Sequence, residues 1–203
     1  MILGRLPLYK LWKKSAAGTL LKRRRYRKLM ALLPLPAGRK LRVLEVGCSS
    51  GSDMIQFLEK DPRFEVWGVD IRPCRLERGH FVQADGAHLP FPDKSFDLVA
   101  SVGLLEHIEP MEKLCRVIDE MDRVGRHLLS VVPSVSTVLE PHCGQLLFPI
   151  RLHRELCRPE RETPLELNFI AEHTWTRFHG FLGCKIQRFW YLPPLIRNTA
   201  IYK

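Results

Sequence analysis

The chain has 203 residues, 45% of them hydrophobic, and a formal net charge of +10. That length supports one substantial core and is too short for two comfortable domains. Six cysteines, at positions 48, 74, 115, 143, 157 and 184, show neither C-x-x-C pairing nor zinc-ligand spacing; they read as reduced thiols of a cytoplasmic protein, and no apolar run is long enough to cross a bilayer.

The charge is unevenly spread. Residues 1–40 contain 12 Lys and Arg and no Asp or Glu, whereas the remainder holds 20 basic and 22 acidic residues. In this arm Leu8, Leu11, Trp12, Leu20, Leu21, Leu29, Leu32 and Leu33 alternate with Lys10, Lys13, Lys14, the bases at 22–25, Arg27 and Lys28. The pattern predicts two basic amphipathic helices interrupted by Gly18. Four uses stay open at this point. The leucines pack over a ligand site beneath a solvated basic face, or residues 1–33 make peripheral contact with an anionic membrane. Nucleic acid is a third partner class, and mitochondrial import a fourth, although Ser15 is the arm's only serine.

The next stretch, LRVLEVGCSSG at 41–51, runs an apolar strand through Glu45 into a glycine-punctuated turn. Gly47 and Gly51 let the backbone turn sharply and approach a ligand without Cβ atoms in the way. The loop has neither the dinucleotide fingerprint G-x-G-x-x-G nor the lysine of a P-loop. Residues 53–60 read as a helix. A second strand at 65–69 ends in Asp70, where a carboxylate is placed to accept hydrogen bonds from a ribose diol. A third strand at 80–84 ends in Asp85-Gly86-Ala87, and a fourth covers 96–102. The connection at 71–79 is short for a helical crossover and predicts a turn in place of the helix. Pro110 opens a helix at 111–123, a position where proline is tolerated. Residues 126–132 form the fifth strand, and the segment 133–170 then breaks the alternation. A last helix at 174–179 ends at Gly180. Residues 184–191 and 198–202 close the sheet as antiparallel strands.

In order and spacing, VLEVGCSSG, GVD, ADGAHLPFPDKSFDLVAS and LLEHI resemble the class I S-adenosylmethionine-dependent methyltransferases, in particular the small type 11 group. The resemblance implies an α/β, Rossmann-like, seven-stranded and mostly parallel sheet with helices on both faces. Its strand order would be 3-2-1-4-5-7-6, in a single domain at 41–203 behind the basic arm at 1–40. It implies S-adenosyl-L-methionine as cofactor. Glu45, Gly47, Cys48, Ser49 and Gly51 would shape the loop around the methionine part. Asp70 would take the ribose hydroxyls with Ile71 against the adenine, Asp85 would face the adenine amino group beside Gly86 and Ala87, and Ser101 and Val102 would line the floor. One departure lies in the loop, where the family usually has a glycine and this chain has Ser49. The insert at 133–170 contains Leu139-Glu140-Pro141-His142 and resembles a lid found in some glycan and lipid methyltransferases, which suggests a small-molecule or lipid-linked acceptor.

The chemistry implied is direct displacement. A sulfonium already makes its methyl group electrophilic, so the protein mainly holds acceptor, carbon and sulfur in line. An oxygen acceptor also has to lose a proton, for which His142 and His107 are the candidate bases, with Glu140 and Glu106 beside them. RNA methylation and a non-catalytic module that keeps the fold are the alternative readings.

Overall fold

The computed structural model describes residues 16–49, 53–134, 183–192 and 196–203. Gly51, Glu140, His142, most of the insert expected at 133–170, the helix expected at 174–179 and the first helix of the arm lie outside the described residues.

Eleven consecutive positions of the β1 region and loop were expected to be strand then turn, and β1 is Leu41–Val46, five of whose six residues are buried. Burial on both faces is what a central parallel strand needs, and it explains the nearly continuous apolar run. β2 (Phe64–Asp70) and β4 (Phe96–Val102) pair with it in parallel on either side, with Glu45 opposite Gly68 on one flank and Ala100 on the other. β3 (His80–Gln83) adds to β2, and β5 (Gly125–Pro133) to β4. β7 (Ile196–Tyr202) and β6 (Lys185–Leu192) complete the sheet in antiparallel fashion, giving the order β3-β2-β1-β4-β5-β7-β6. This is the expected strand order. Because the chain leaves β1 for β2 on one side and resumes at β4 on the other, a crevice opens beyond the carboxyl ends of β1 and β4.

The two faces are covered differently. On one, α1 (Ala16–Met30) and α2 (Asp53–Leu58) bury Tyr26, Leu29, Met54 and Ile55 against Val43, Val66, Leu98 and Leu129. Tyr26 is 2% exposed and stacks on Phe57 with ring centres 5.7 Å apart. On the other, α3 (Met111–Val124) buries Leu114, Val117, Ile118 and Met121 against Leu44, Val99 and Leu128. α1 includes Gly18 instead of being interrupted there, since a glycine keeps its amide donor and costs a helix only about 1 kcal/mol relative to alanine.

The β2–β3 connection holds no helix, as its length predicts. Leu76, buried, takes over the covering role, and the Glu59 carboxylate accepts hydrogen bonds from the amides of Arg78 and Gly79 at 3.2 and 2.9 Å. The β3–β4 loop is tied to the end of α3 by reciprocal bonds. Arg123 donates to the carbonyls of Leu89 and Phe91, and Lys94 Nζ donates to the carbonyls of Asp122 and Gly125, orphan acceptors of the helix terminus.

Asp97 anchors the opposite end of the central strands. Its buried carboxylate accepts the Arg42 amide at 2.9 Å and a two-pronged contact from the Arg39 guanidinium. That guanidinium holds the carboxyl below its ordinary range, and the Arg42 amide adds to the effect. A depressed folded pKa contributes stability that is full above the unfolded Asp value, near 3.9, and disappears as pH falls through the lower folded value. Asp97→Asn is therefore expected to lose about 1–3 kcal/mol at neutral pH. Urea unfolding should show the gap from wild type closing below about pH 4; a gap independent of pH would contradict this role.

Candidate functional site

A cleft of about 210 Å³ lies at the crevice. Its wall comes from the end of β1 (Val46, Gly47), the end of β2 (Val69, Asp70, Ile71) and the segment after β3 (Ala84, Asp85, Gly86). Leu104, His107, Ile108 and Glu109 line it from the turn after β4, and Lys113 and Val117 from α3.

The β1 turn is shaped by close packing. Gly47 has φ +77°, and a Cβ there would lie 2.8 Å from the Leu104 side chain, so only glycine fits both the dihedral and the space. The Gly47 and Cys48 amides both bond the Val69 carbonyl, at 2.8 and 3.1 Å, which draws the turn against β2. Ser49 follows with φ +50°, a left-handed conformation. Where the resemblance led one to expect glycine, serine keeps the glycine backbone. Its amide donates to Asp70 Oδ2 at 2.8 Å, while Asp70 Oδ1 accepts the Arg72 amide at 2.9 Å. Each carboxylate oxygen retains a second lone pair for a ligand hydroxyl.

Asp85 is held equally firmly. Its Oδ1 accepts the Ala87 amide at 3.0 Å and its Oδ2 takes Lys113 Nζ at 2.7 Å. The Ala87 amide, and next the Lys113 ammonium, keep the carboxyl below its ordinary range, so it is a carboxylate at neutral pH. Lys113 was not legible as a site residue because 28 positions separate it from Asp85. The usable signal was its place in the first turn of the helix opened by Pro110, the end of that helix nearest the strand termini.

The expected site residues therefore divide into groups. Gly47, Asp70, Ile71, Asp85, Gly86 and His107 converge on the cleft, Ile71 with 62% of its surface exposed. Ser49 stands beside it through Asp70. Ala87, Ser101 and Glu45 are buried, Glu45 to 1%, and Val102 packs partly buried against the α1 and α2 side of the core. Cys48 points away from the cleft, with its sulfur 3.8 Å from that of Cys74, and burial pushes its thiol well above the ordinary range. Such a thiol is poorly nucleophilic. Leu104, Ile108, Glu109 and Val117 line the cleft without having been singled out in the sequence.

Among the described residues that line the cleft, three carboxylates, Asp70, Asp85 and Glu109, stand against one ammonium, Lys113. The cleft is thus acidic within a strongly basic chain, a setting suited to a cationic ligand that carries hydroxyl and amino donors.

Residues 44–127 match the family model described as a methyltransferase domain. Over 114 residues the chain is 30% identical to 27-O-demethylrifamycin SV methyltransferase of Amycolatopsis mediterranei, covering 50% of this chain and 41% of that protein. It is 29% identical over 87 residues to the probable tRNA methyltransferase 9B of Mus musculus, covering 40% and 19% of the two chains. The chain thus spans less than half the length of these curated relatives. Among solved structures, magnesium protoporphyrin IX methyltransferase from Synechocystis superposes with a TM-score of 0.63 at 15% identity, over 91% of this chain and 82% of that one. The 1,6-didemethyltoxoflavin-N1-methyltransferase of Burkholderia thailandensis gives 0.60 at 18% identity, over 95% and 79%.

The dihedral at Ser49 makes a measurable statement. Replacing it by glycine removes left-handed strain of about 1–2 kcal/mol and returns about 0.4–1 kcal/mol as unfolded-state entropy, so Ser49→Gly is expected to be neutral to modestly stabilising. Ser49→Val should cost more than about 1 kcal/mol, because a β-branched residue tolerates this region least. Denaturant midpoints decide the matter, and a destabilised Ser49→Gly would show that the turn is not strained.

Proposed function

We propose that this chain, which carries a class I S-adenosylmethionine-dependent methyltransferase domain, is an enzyme that transfers the methyl group directly to oxygen of a small or lipid-linked acceptor. The observation that supports it most is the convergence of the Gly47 turn, Asp70 and Asp85 on one cleft at the switch point of the sheet.

The residues present fit the cofactor. Asp70 lies at the end of β2 with lone pairs available for a ribose diol, and Asp85 is an acceptor for an exocyclic amino group. Gly86 packs its Cα closely on Val46, whose Cγ1 a Cβ there would approach to 3.0 Å, so the backbone beside Asp85 is held against the end of β1 at the cleft wall. Ile71 supplies exposed apolar surface next to it. When bound, the cofactor supplies an electrophilic methyl group. The chain's own contribution is position and charge: Asp70, Asp85 and Glu109 favour a cation, Leu104 and Val117 give one wall an apolar lining, and His107 lines the cleft as the candidate base for the acceptor's proton.

The small-molecule relatives and the tRNA-methyltransferase relatives match partial stretches of the chain, so their names do not choose between acceptors. The oxygen-acceptor reading rests on His107 at the cleft and on the sequence of the segment 133–170. His142, in that segment, remains the alternative base.

Titration calorimetry with S-adenosyl-L-methionine should show one site per chain. Asp70→Ala should weaken binding by at least about ten-fold, in keeping with loss of a charged hydrogen-bond partner. Absence of binding by the wild type, or undiminished binding by the variant, would count against the site.

For the proton-transfer role, labelled cofactor and fractionated cell extract identify the acceptor fraction first. His107→Ala should then lower kcat by about 10²–10⁴-fold with cofactor affinity retained; an unchanged kcat transfers the role to His142 or removes the need for a base.

A further inference from the structure

α1 is fixed to the domain by one face. Tyr26 and Leu29 are buried in the core beside Met54, Ile55 and Phe57, with Leu33 continuing the contact just beyond the helix. Its outer stripe, at positions 20, 23, 24, 27 and 28, is exposed and reads Leu20, Arg23, Arg24, Arg27, Lys28. The spacing i, i+3, i+4, i+7, i+8 places all five on one side of the helix. Arg23 with Arg27, and Arg24 with Lys28, are like-charge pairs at i, i+4, an arrangement that destabilises a helix on its own. No acidic residue occurs in the helix or anywhere in residues 1–40 to offset them.

A rigid ridge of four cations built against local helix stability fits a polyanionic surface. Two further observations choose the kind. Leu20 is 54% exposed at the amino-terminal end of the same stripe, where an apolar side chain next to bases suits a lipid headgroup boundary. Tyr26, by contrast, is the helix's one aromatic residue and is buried, so the stripe offers no ring on which nucleic-acid bases would stack. Among the described residues no helix is long and apolar enough to cross a membrane, so the contact in view is peripheral.

We propose that the ridge formed by Arg23, Arg24, Arg27 and Lys28, with Leu20 at its end, docks this protein on an anionic lipid surface. Attraction to such a surface is electrostatic and falls away within a Debye length, about 10 Å at 0.1 M salt. The docking does not depend on the methyl-transfer reading. If it holds together with that reading, a lipid-linked acceptor is delivered to an enzyme already held at the bilayer.

The test uses the full chain and vesicles of phosphatidylcholine with about 30% phosphatidylglycerol, a composition that sets a negative surface potential. Co-sedimentation should show binding that weakens steeply with salt and is absent on pure phosphatidylcholine. The variant Arg23→Gln/Arg24→Gln/Arg27→Gln/Lys28→Gln should lose at least about 100-fold in partitioning, from roughly five-fold per base. Its cofactor affinity should be unchanged and its melting temperature equal to or slightly above that of wild type, because removing the like-charge pairs relieves repulsion and leaves Tyr26 and Leu29 in place. Leu20→Ser should give a smaller loss at constant salt dependence. Equal binding to neutral vesicles, or a quadruple variant that binds like wild type, overturns the proposal. So does tighter binding to a structured RNA than to the vesicles at equal phosphate, which would assign the ridge to nucleic acid instead.

Discussion

The working end of the sheet depends on how tightly the turn after β1 is packed. A Cβ on Gly47 would lie 2.8 Å from Leu104, and one on Gly68 would lie 2.7 Å from the Cys48 sulfur. The missing side chains of two glycines are therefore occupied by side chains from neighbouring segments. Leu104 enters from the turn after β4 and Cys48 from the turn after β1, so the ends of β1, β2 and β4 are drawn to a common point. The Asp70 carboxylate comes within 2.8 Å of the Ser49 amide as a consequence. Since interiors are packed as densely as organic crystals, an added side chain at either glycine would have to push these ends apart.

The opposite wall of the cleft needs its own support, because the β2–β3 and β3–β4 connections contain no helix of their own. Glu59 at the end of α2 holds the first, and the Arg123, Glu120 and Lys94 set holds the second. Glu120 accepts the Leu89 amide at 2.7 Å while Arg123 bridges Glu120, Asp93 and two loop carbonyls. With the loop fixed at that distance from the cleft, Asp85 and Gly86 need only a short segment to reach a defined place. Lys113 then fixes the carboxylate itself. Buried or half-buried polar groups that are satisfied in this way specify one arrangement, where an unpaired set would permit several.

The central strands β1 and β4 were legible because they are buried on both faces and appear as nearly continuous apolar runs, whereas β3, a half-exposed edge strand, was marked by the Asp85-Gly86 turn after it. The order of the strands was what the resemblance to the class I methyltransferases implies. The face that α1 buries was not legible, since leucines at 20, 21, 29, 32 and 33 allow more than one stripe; Tyr26 and Leu29 settle it by packing on Phe57 and Ile55. Of the four uses open for the arm, packing over the ligand site does not describe α1, whose buried residues belong to the α2 face while the cleft is lined from α3. The Asp85–Lys113 pair was invisible for a different reason. A contact across 28 residues exists only after the β4–α3 unit has folded back on the sheet, so the sequence marked Asp85 through its turn but not its pairing with Lys113.

The serine at position 49 shows what a glycine motif records. Such motifs stand for dihedral angles and clearances, and a sequence that keeps the angle by other means keeps the loop. Ser49 adopts φ +50° at a cost of about 1–2 kcal/mol for a non-glycine residue. The amide's hydrogen bond to the Asp70 carboxylate is of the class that contributes about 1.5–3 kcal/mol, so it offsets the strain. The same carboxylate faces the cleft, which gives Asp70 two physical roles, holding the turn and meeting the ligand. A departure from the expected glycine is thereby tolerated as long as the acid at the end of β2 is present, and the integrity of the loop and the polarity of the cleft become one constraint.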